Sequence, residues 1–351
     1  MKKILNHIFV DGLSGMASGL FATLIIGTII QQIGLLVGGA AGGYLVSFAK
    51  IASAMTGAGI GVGVASKFKS SVLVTVSAAS AGMVGAFAGK ILAGSVFTEG
   101  GVLLSGPGEP LGAFVAAMVA IEIGRLISGK TKLDILLTPF ISILSGSAVG
   151  MIVGPPISQF MTWLGSLINW GTEQQPFLMG IVVSVLMGMI LTLPISSAAL
   201  GIILNLSGLA AGAATIGCCC NMIGFAVASF KENGFGGLLA QGLGTSMLQV
   251  PNIVRRPLIW LPAIISSAIL GPVGTMVFKM TNTATGSGMG TAGLVGQITT
   301  FQDMSSYMDP TLVLVFIAVM HFILPGVLAY GVNLVMRKMR WIKDGDMKLE
   351  M

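Results

Sequence analysis

The residue best placed to do chemistry is Glu109, in the sequence GPGEP at 106–110. Two prolines and two glycines fix the local backbone there and exclude a regular helix. A carboxylate held on such a backbone can accept hydrogen bonds from ligand hydroxyls, or take up a proton if burial raises its pKa. An exposed acid in an outward turn is the plainer reading. A second concentration of polar groups lies in the segment 280–300, where Asn282, Thr283, Thr285, Ser287 and Gln297 offer neutral donors and acceptors. These suit an uncharged, hydroxyl-rich solute such as a sugar or polyol. Gly286, Gly288 and Gly290 would instead let backbone amides approach an anion. Their spacing is not a nucleotide fingerprint, because no strand precedes it and no P-loop lysine follows. A flexible outward loop is the alternative. Gln249 and Asn252, with Gln241 and Thr245, place polar side chains in a weakly apolar stretch, 241–256, where they face either a solute or neighbouring helices. His321, near Pro325 in the last apolar stretch, reads as a proton carrier, a hydroxyl partner or a helix-packing residue.

The elements that must hold these residues are membrane helices. Of 351 residues, 54% are apolar and only 9% charged, and the mean hydropathy is +0.95. A soluble domain carries about 25% charged residues. The apolar runs are continuous rather than alternating, which argues for helices and against a β-barrel. Fifty-one glycines fit close helix approach and broken helices. The expected fold is therefore an all-α polytopic membrane protein, a single transporter-like domain over 1–351 with about ten transmembrane helices. The spans fall near 14–33, 34–49, 71–89, 111–127, 134–154, 177–194, 208–229, 236–252, 258–278 and 311–335. Of these, 34–49 and 236–252 are short enough to be half-helices. Residues 51–65 read as a re-entrant hairpin or an extension of the second helix; 97–112 and 195–207 are also irregular. Residues 156–170, with Trp163 and Trp170, read as interfacial. A possible internal repeat pairs PFIS at 139–142 and GSAVG at 146–150 with PAIIS at 262–266 and GPVG at 271–274.

Charge orients the chain. Lys2, Lys3 and the basic tail 337–351, with Arg337, Lys338, Arg340, Lys343 and Lys348, place both termini in the cytoplasm. Lys67 with Lys69, Lys130 with Lys132, and Arg255 with Arg256 mark cytoplasmic loops. Glu99, Glu109, Glu173, Asp303 and Asp309 mark outward ones. Glu122 and Arg125, three apart on one helix, form a local ion pair.

Several function classes are excluded. There is no H-E-x-x-H, no G-x-S-x-G, no Walker motif and no nucleic-acid-binding module, so no catalytic residue, metal or cofactor is expected. Cys218, Cys219 and Cys220 are consecutive in an apolar stretch. Their spacing suits neither zinc nor ordinary disulfides, and they read as packing residues.

GPGEPLGA (106–113), LPISSAALG (193–201) and TNTATGSGMGTAGLVGQ (281–297) resemble the membrane subunit of bacterial phosphotransferase systems. More narrowly, they resemble the IIC-like branch that includes the perfringolysin toxin-regulator proteins. The resemblance implies a homodimer of helical protomers with re-entrant hairpins, in a bacterial plasma membrane. It also implies that Glu109-Pro110 matches a Glu-Pro motif contributing a sugar-binding glutamate, although that motif falls here in the N-terminal half. The phosphorylated histidine and cysteine of such systems belong to soluble domains absent from this chain. A separate soluble phosphocarrier would have to supply any phosphate.

The leading expectation is a permease for a small polar solute, a sugar or derivative, bound between broken segments and moved by alternating access. The alternative is a membrane-embedded regulator of gene expression that transports nothing, for which the basic tail is the evident docking surface. An ion channel is a third reading, weakened by the few acidic residues within the spans.

Overall fold

The computed structural model describes residues 7–98, 100–104 and 106–349; Lys2, Lys3 and Glu99 lie outside the described residues. The chain divides into two compact units, at Met1–Met161 and Thr162–Met351.

The first unit contains α1 (Leu13–Val37), α2 (Gly39–Ala54), α3 (Thr56–Lys67), α4 (Val72–Leu92), a two-residue hairpin of β1 (Phe97–Thr98) and β2 (Gly101–Val102), and α5 (Pro110–Ile127). It ends within α6 (Asp134–Thr172), a long run with Pro139, Pro155 and Pro156 inside it. Its helices meet through small residues. A Cβ on Gly19 would stand 2.2 Å from the Gly59 carbonyl oxygen, and one on Gly85 would stand 2.4 Å from that of Gly112. The glycine abundance is thus a packing requirement: bare backbones lie where side chains would hold the helices apart.

The second unit contains α7 (Pro176–Thr192), α8 (Gly208–Ala228), α9 (Phe230–Leu239), α10 (Pro257–Val277), α11 (Val295–Met304) and α12 (Pro310–Lys338). The centre is α8, almost wholly buried, with Cys218, Cys219 and Cys220 all inside. Its Gly217 backs onto α7 so closely that a Cβ would meet the Ser184 oxygen at 1.8 Å. Ile216 and Cys220 join Leu270, Met280, Met304, Val313, Ile317 and Met320 in an apolar core. Prolines at the first turn of α5, α7 and α12 suit positions where the N–H lacks a helical partner. Asp309 caps α12, accepting from the N–H groups of Thr311 (2.9 Å) and Leu312 (3.1 Å).

The all-α polytopic fold is as expected; the span count is lower. Among the described residues, seven helices are long and apolar enough to cross a membrane, or eight if α2 and α3, bent by 55°, make one broken span. The expected 34–49 and 51–65 segments are this bent pair, and Gly38 at φ 65° separates α1 from α2. The expected span 236–252 is broken into pieces. Gly234 (φ 60°) interrupts α9, a π turn covers Ala240–Gly244, Thr245 is extended, and a 3₁₀ turn covers Ser246–Gln249. At 177–194 the helix is Pro176–Thr192, whose 17 residues are at the short end of what a crossing needs. The two echoed sequences lie on the helices Asp134–Ile157 and Pro257–Val277, one in each unit. Large apolar side chains such as Leu36, Val72 and Ile135 are exposed on the helix exteriors, the pattern of a lipid-facing surface.

Candidate functional site

In the first unit, the irregular segment before α5 is built around Glu109. Gly106 and Gly108 have φ of 75° and 73°, and a Cβ on Gly108 would press on the Ala86 oxygen at 2.7 Å. The Glu109 N–H donates to that same oxygen at 2.7 Å, and its carbonyl accepts from Ala113 N–H at 3.1 Å, opening α5. The residue is half-buried, but Oε1 is buried without a hydrogen-bond partner. Loss of solvent pushes its pKa from 4.5 up to about 7, against a smaller opposing pull from the Leu111 N–H, which completes no cap hydrogen bond. A carboxyl in this state can exchange a proton near neutrality or accept a hydrogen bond from a ligand.

Elsewhere in this unit, His7 Nε2 meets Glu122 Oε1 at 2.8 Å and its ring stacks on Phe68. Arg125 lies 3.7 Å from the same carboxylate, as expected of a local pair.

In the second unit, 280–300 is folded inward. Asn282 is a staple: its Nδ2 donates to Thr215 Oγ1 at 2.7 Å and to the Gly296 oxygen at 3.2 Å, while its Oδ1 accepts from Thr283 N–H. Ser287 is buried and donates to the Ala284 oxygen at 2.9 Å. Thr283 is partly buried and Thr285 is exposed. Gln297, on α11, reaches His321 on α12: Nε2 lies 3.2 Å from Nδ1 and also donates to Cys219 Sγ at 3.4 Å. Gln297 Oε1, His321 Nε2 and the Thr300 hydroxyl are buried without partners. His321 sits in a π turn, Ala318–Ile323. Such turns widen the helix and recur at functional positions.

The structure therefore joins Gln297 with His321, and Gln249 with Asn252, as two separate clusters within the second unit. Gln249 Nε2 donates to Gln241 Oε1 at 2.8 Å, and Asn252 Nδ2 donates to Gln249 Oε1 at 2.9 Å. The remaining amide protons of Gln249 and Asn252 go to the carbonyls of Met347 and Lys348, so the basic tail folds back onto this cluster.

Sequence reasoning missed Thr215 as the partner of Asn282, and a further buried polar cluster gathers around Asn221. Asn221 Oδ1 accepts from Thr192 Oγ1 (3.1 Å) and Trp260 Nε1 (2.8 Å), and Thr192 in turn meets Ser246. These hydroxyls and the indole come from far along the chain, and no local pattern announces them.

No curated relative matches the chain. The family described as "Phosphotransferase system, EIIC" matches residues 10–349, which is nearly the whole length and takes in both units. With helices long and apolar enough for several crossings and a match this extensive, the chain belongs to the phosphotransferase-system EIIC family and is a multi-pass membrane protein of the permease type.

Proposed function

We propose that this subunit carries a small, uncharged, hydroxyl-bearing solute, a sugar or sugar derivative, across the bacterial plasma membrane by alternating access. The observation that carries the reading is the Gln297–His321 pair. With Gln297 Nε2 donating, His321 Nδ1 is the acceptor, and the neutral ring then bears its proton on Nε2. One buried acceptor, Gln297 Oε1, and one buried donor, His321 Nε2–H, are left unmet. A hydroxyl both donates and accepts, so hydroxyl groups answer both needs without bringing charge into a span. Asn282 fixes the irregular backbone beside this pair, and Ser287 helps pack it. Thr283 and Thr285 stand at its more exposed margin. Glu109, taken by itself within the first unit, is proposed as a separate hydrogen-bond acceptor for hydroxyl groups, supported by its unmet Oε1 and the Glu-Pro resemblance.

Phosphate for a coupled reaction would come from a soluble phosphocarrier, and a homodimer is the assembly we assign. The C-terminus is assigned to the cytoplasm on the strength of the basic residues after α12, and the N-terminus on that of Lys2 and Lys3. The test is uptake of a panel of radiolabelled sugars into proteoliposomes, with and without soluble phosphocarrier proteins. Saturable uptake of at least one sugar that falls in Gln297→Ala and His321→Ala is expected. Ion conductance without sugar movement would overturn the reading. The regulatory alternative draws less support, because the tail that would recruit a partner is engaged with its own chain.

A further inference from the structure

After α12 the chain turns at Arg340 (φ 60°) and residues 341–349 run back over the broken segment 229–256. This strap is held through ion pairs of Asp344 with Arg337 and Lys231 and of Asp346 with Arg256, through buried side chains and through its backbone. Ile342 and Met347 are buried in a cluster with Phe225, Ile253, Ile259, Ala263 and Met336. Its backbone is meanwhile read by side chains. Met347 N–H donates to Glu232 Oε2 at 2.8 Å, and Leu349 N–H donates to Asn233 Oδ1 at 2.8 Å. The Met347 carbonyl accepts from Asn233 Nδ2 and Gln249 Nε2, each at 2.9 Å, and the Lys348 carbonyl accepts from Asn252 Nδ2 at 2.9 Å. Asn233 thus brackets Lys348 as a neighbouring strand would, donating to the carbonyl before it and accepting from the N–H after it.

The reading groups are organised by contacts of their own. Arg337 Nη2 holds Glu232 at 2.5 Å. Gln241 Nε2 is fixed by Ser229 Oγ (2.9 Å) and the Gly237 oxygen (3.0 Å), and its Oε1 takes one proton of Gln249. One proton each on Gln249 and Asn252 is left for the strap, and Asn233 gives it another. In contrast, the strap's own backbone-to-backbone hydrogen bonds, among the described residues, go to itself or to Met336 at the end of α12. Its attachment to the rest of the unit rests on side chains, so it can leave without opening a backbone ladder.

We propose that Glu232, Asn233, Gln249 and Asn252 form a peptide-backbone site whose resident ligand is the C-terminal strap, anchored by Met347 and detachable as a unit. The ligand class is an irregular peptide with one long apolar side chain, recognised through its amides. Combined with the proposed permease function, on which only this consequence rests, the seated strap withholds Gln249 and Asn252 from solute and its release frees them.

The experiment uses the full chain and no solute, so it is independent of whether any sugar is carried. Met347→Asp unseats the anchor, and Met347→Ala repeats the test without an introduced charge. A fluorescent peptide of residues 341–351 is then titrated onto wild-type and variant protein in detergent, followed by polarisation, with thermal unfolding recorded alongside. Saturable binding is expected to a released variant that still unfolds cooperatively, at least tenfold tighter than to wild type, whose site is filled. Adding Asn252→Ala should weaken that binding at least tenfold. Absence of peptide binding, equal binding to wild type, or loss of cooperative unfolding in both variants would overturn the proposal and make the strap an inseparable part of the fold.

Discussion

Gln297 Nε2 lies 3.2 Å from His321 Nδ1, on two helices 24 residues apart in sequence. With Gln297 Nε2 donating, the ring carries its proton on Nε2, leaving one donor unspent on the membrane-spanning α12 and one acceptor, Gln297 Oε1, unspent on α11.

Replacing Gln297 with Ala removes the proposed solute acceptor and also frees the His321 ring. Uptake of the carried solute should fall roughly 2- to 10-fold, the loss of one neutral hydrogen bond of about 0.5–1.5 kcal/mol. Gln297→Glu should fall further, because it introduces a buried charge. Initial uptake rates in proteoliposomes, normalised to folded protein, measure both.

Glu109→Gln should change the pH dependence of stability. Because burial raises the carboxyl pKa from 4.5 to about 7, the folded state binds more protons than the unfolded state across that interval. The resulting stabilisation is fully present below pH 4.5 and is lost as pH rises through about 7. Glutamine cannot titrate. The wild-type unfolding temperature should therefore decline relative to that of the variant between these pH values, and scanning fluorimetry across the range reads the difference. Parallel curves would remove the buried-acid account.

Gly217→Ala should be strongly destabilising. Its Cβ would sit 1.8 Å from the Ser184 backbone oxygen, so α7 and α8 must separate. Overpacking of this kind costs about 1–3 kcal/mol, or more where backbone has to move. Gly43→Ala, on α2 with no atom within 4 Å, is the control and should unfold at or slightly above the wild-type temperature.

Asp309→Ala removes the acceptor for two N–H groups at the start of α12. A lost N-cap costs about 1 kcal/mol. The loss should appear as faster hydrogen exchange at Thr311 and Leu312, with the core of the second unit unchanged.

The primary structure alone determined the class and one of the places where regular helix fails. Apolar residues in such excess leave lipid as the only surroundings that can accommodate them, and GPGEP at 106–110 cannot continue a helix. It also marked 280–300 as a segment whose polar groups need partners that hydrocarbon does not offer, and the burial of Asn282, Ser287 and Gln297 decided against a flexible outward loop. Tertiary structure decided which partners they find. Asn282 chooses Thr215, 67 residues away, and Gln297 chooses His321. Gln249 and Asn252, which had looked equally suited to a solute, spend protons on a tail that read as free. Hydropathy is summed along the chain, so it counts 236–252 as a span. Whether that stretch crosses or breaks depends on where its released groups find hydrogen bonds: the Gly242 carbonyl finds Thr291 and the Gln249 amide finds Met347, both distant in sequence.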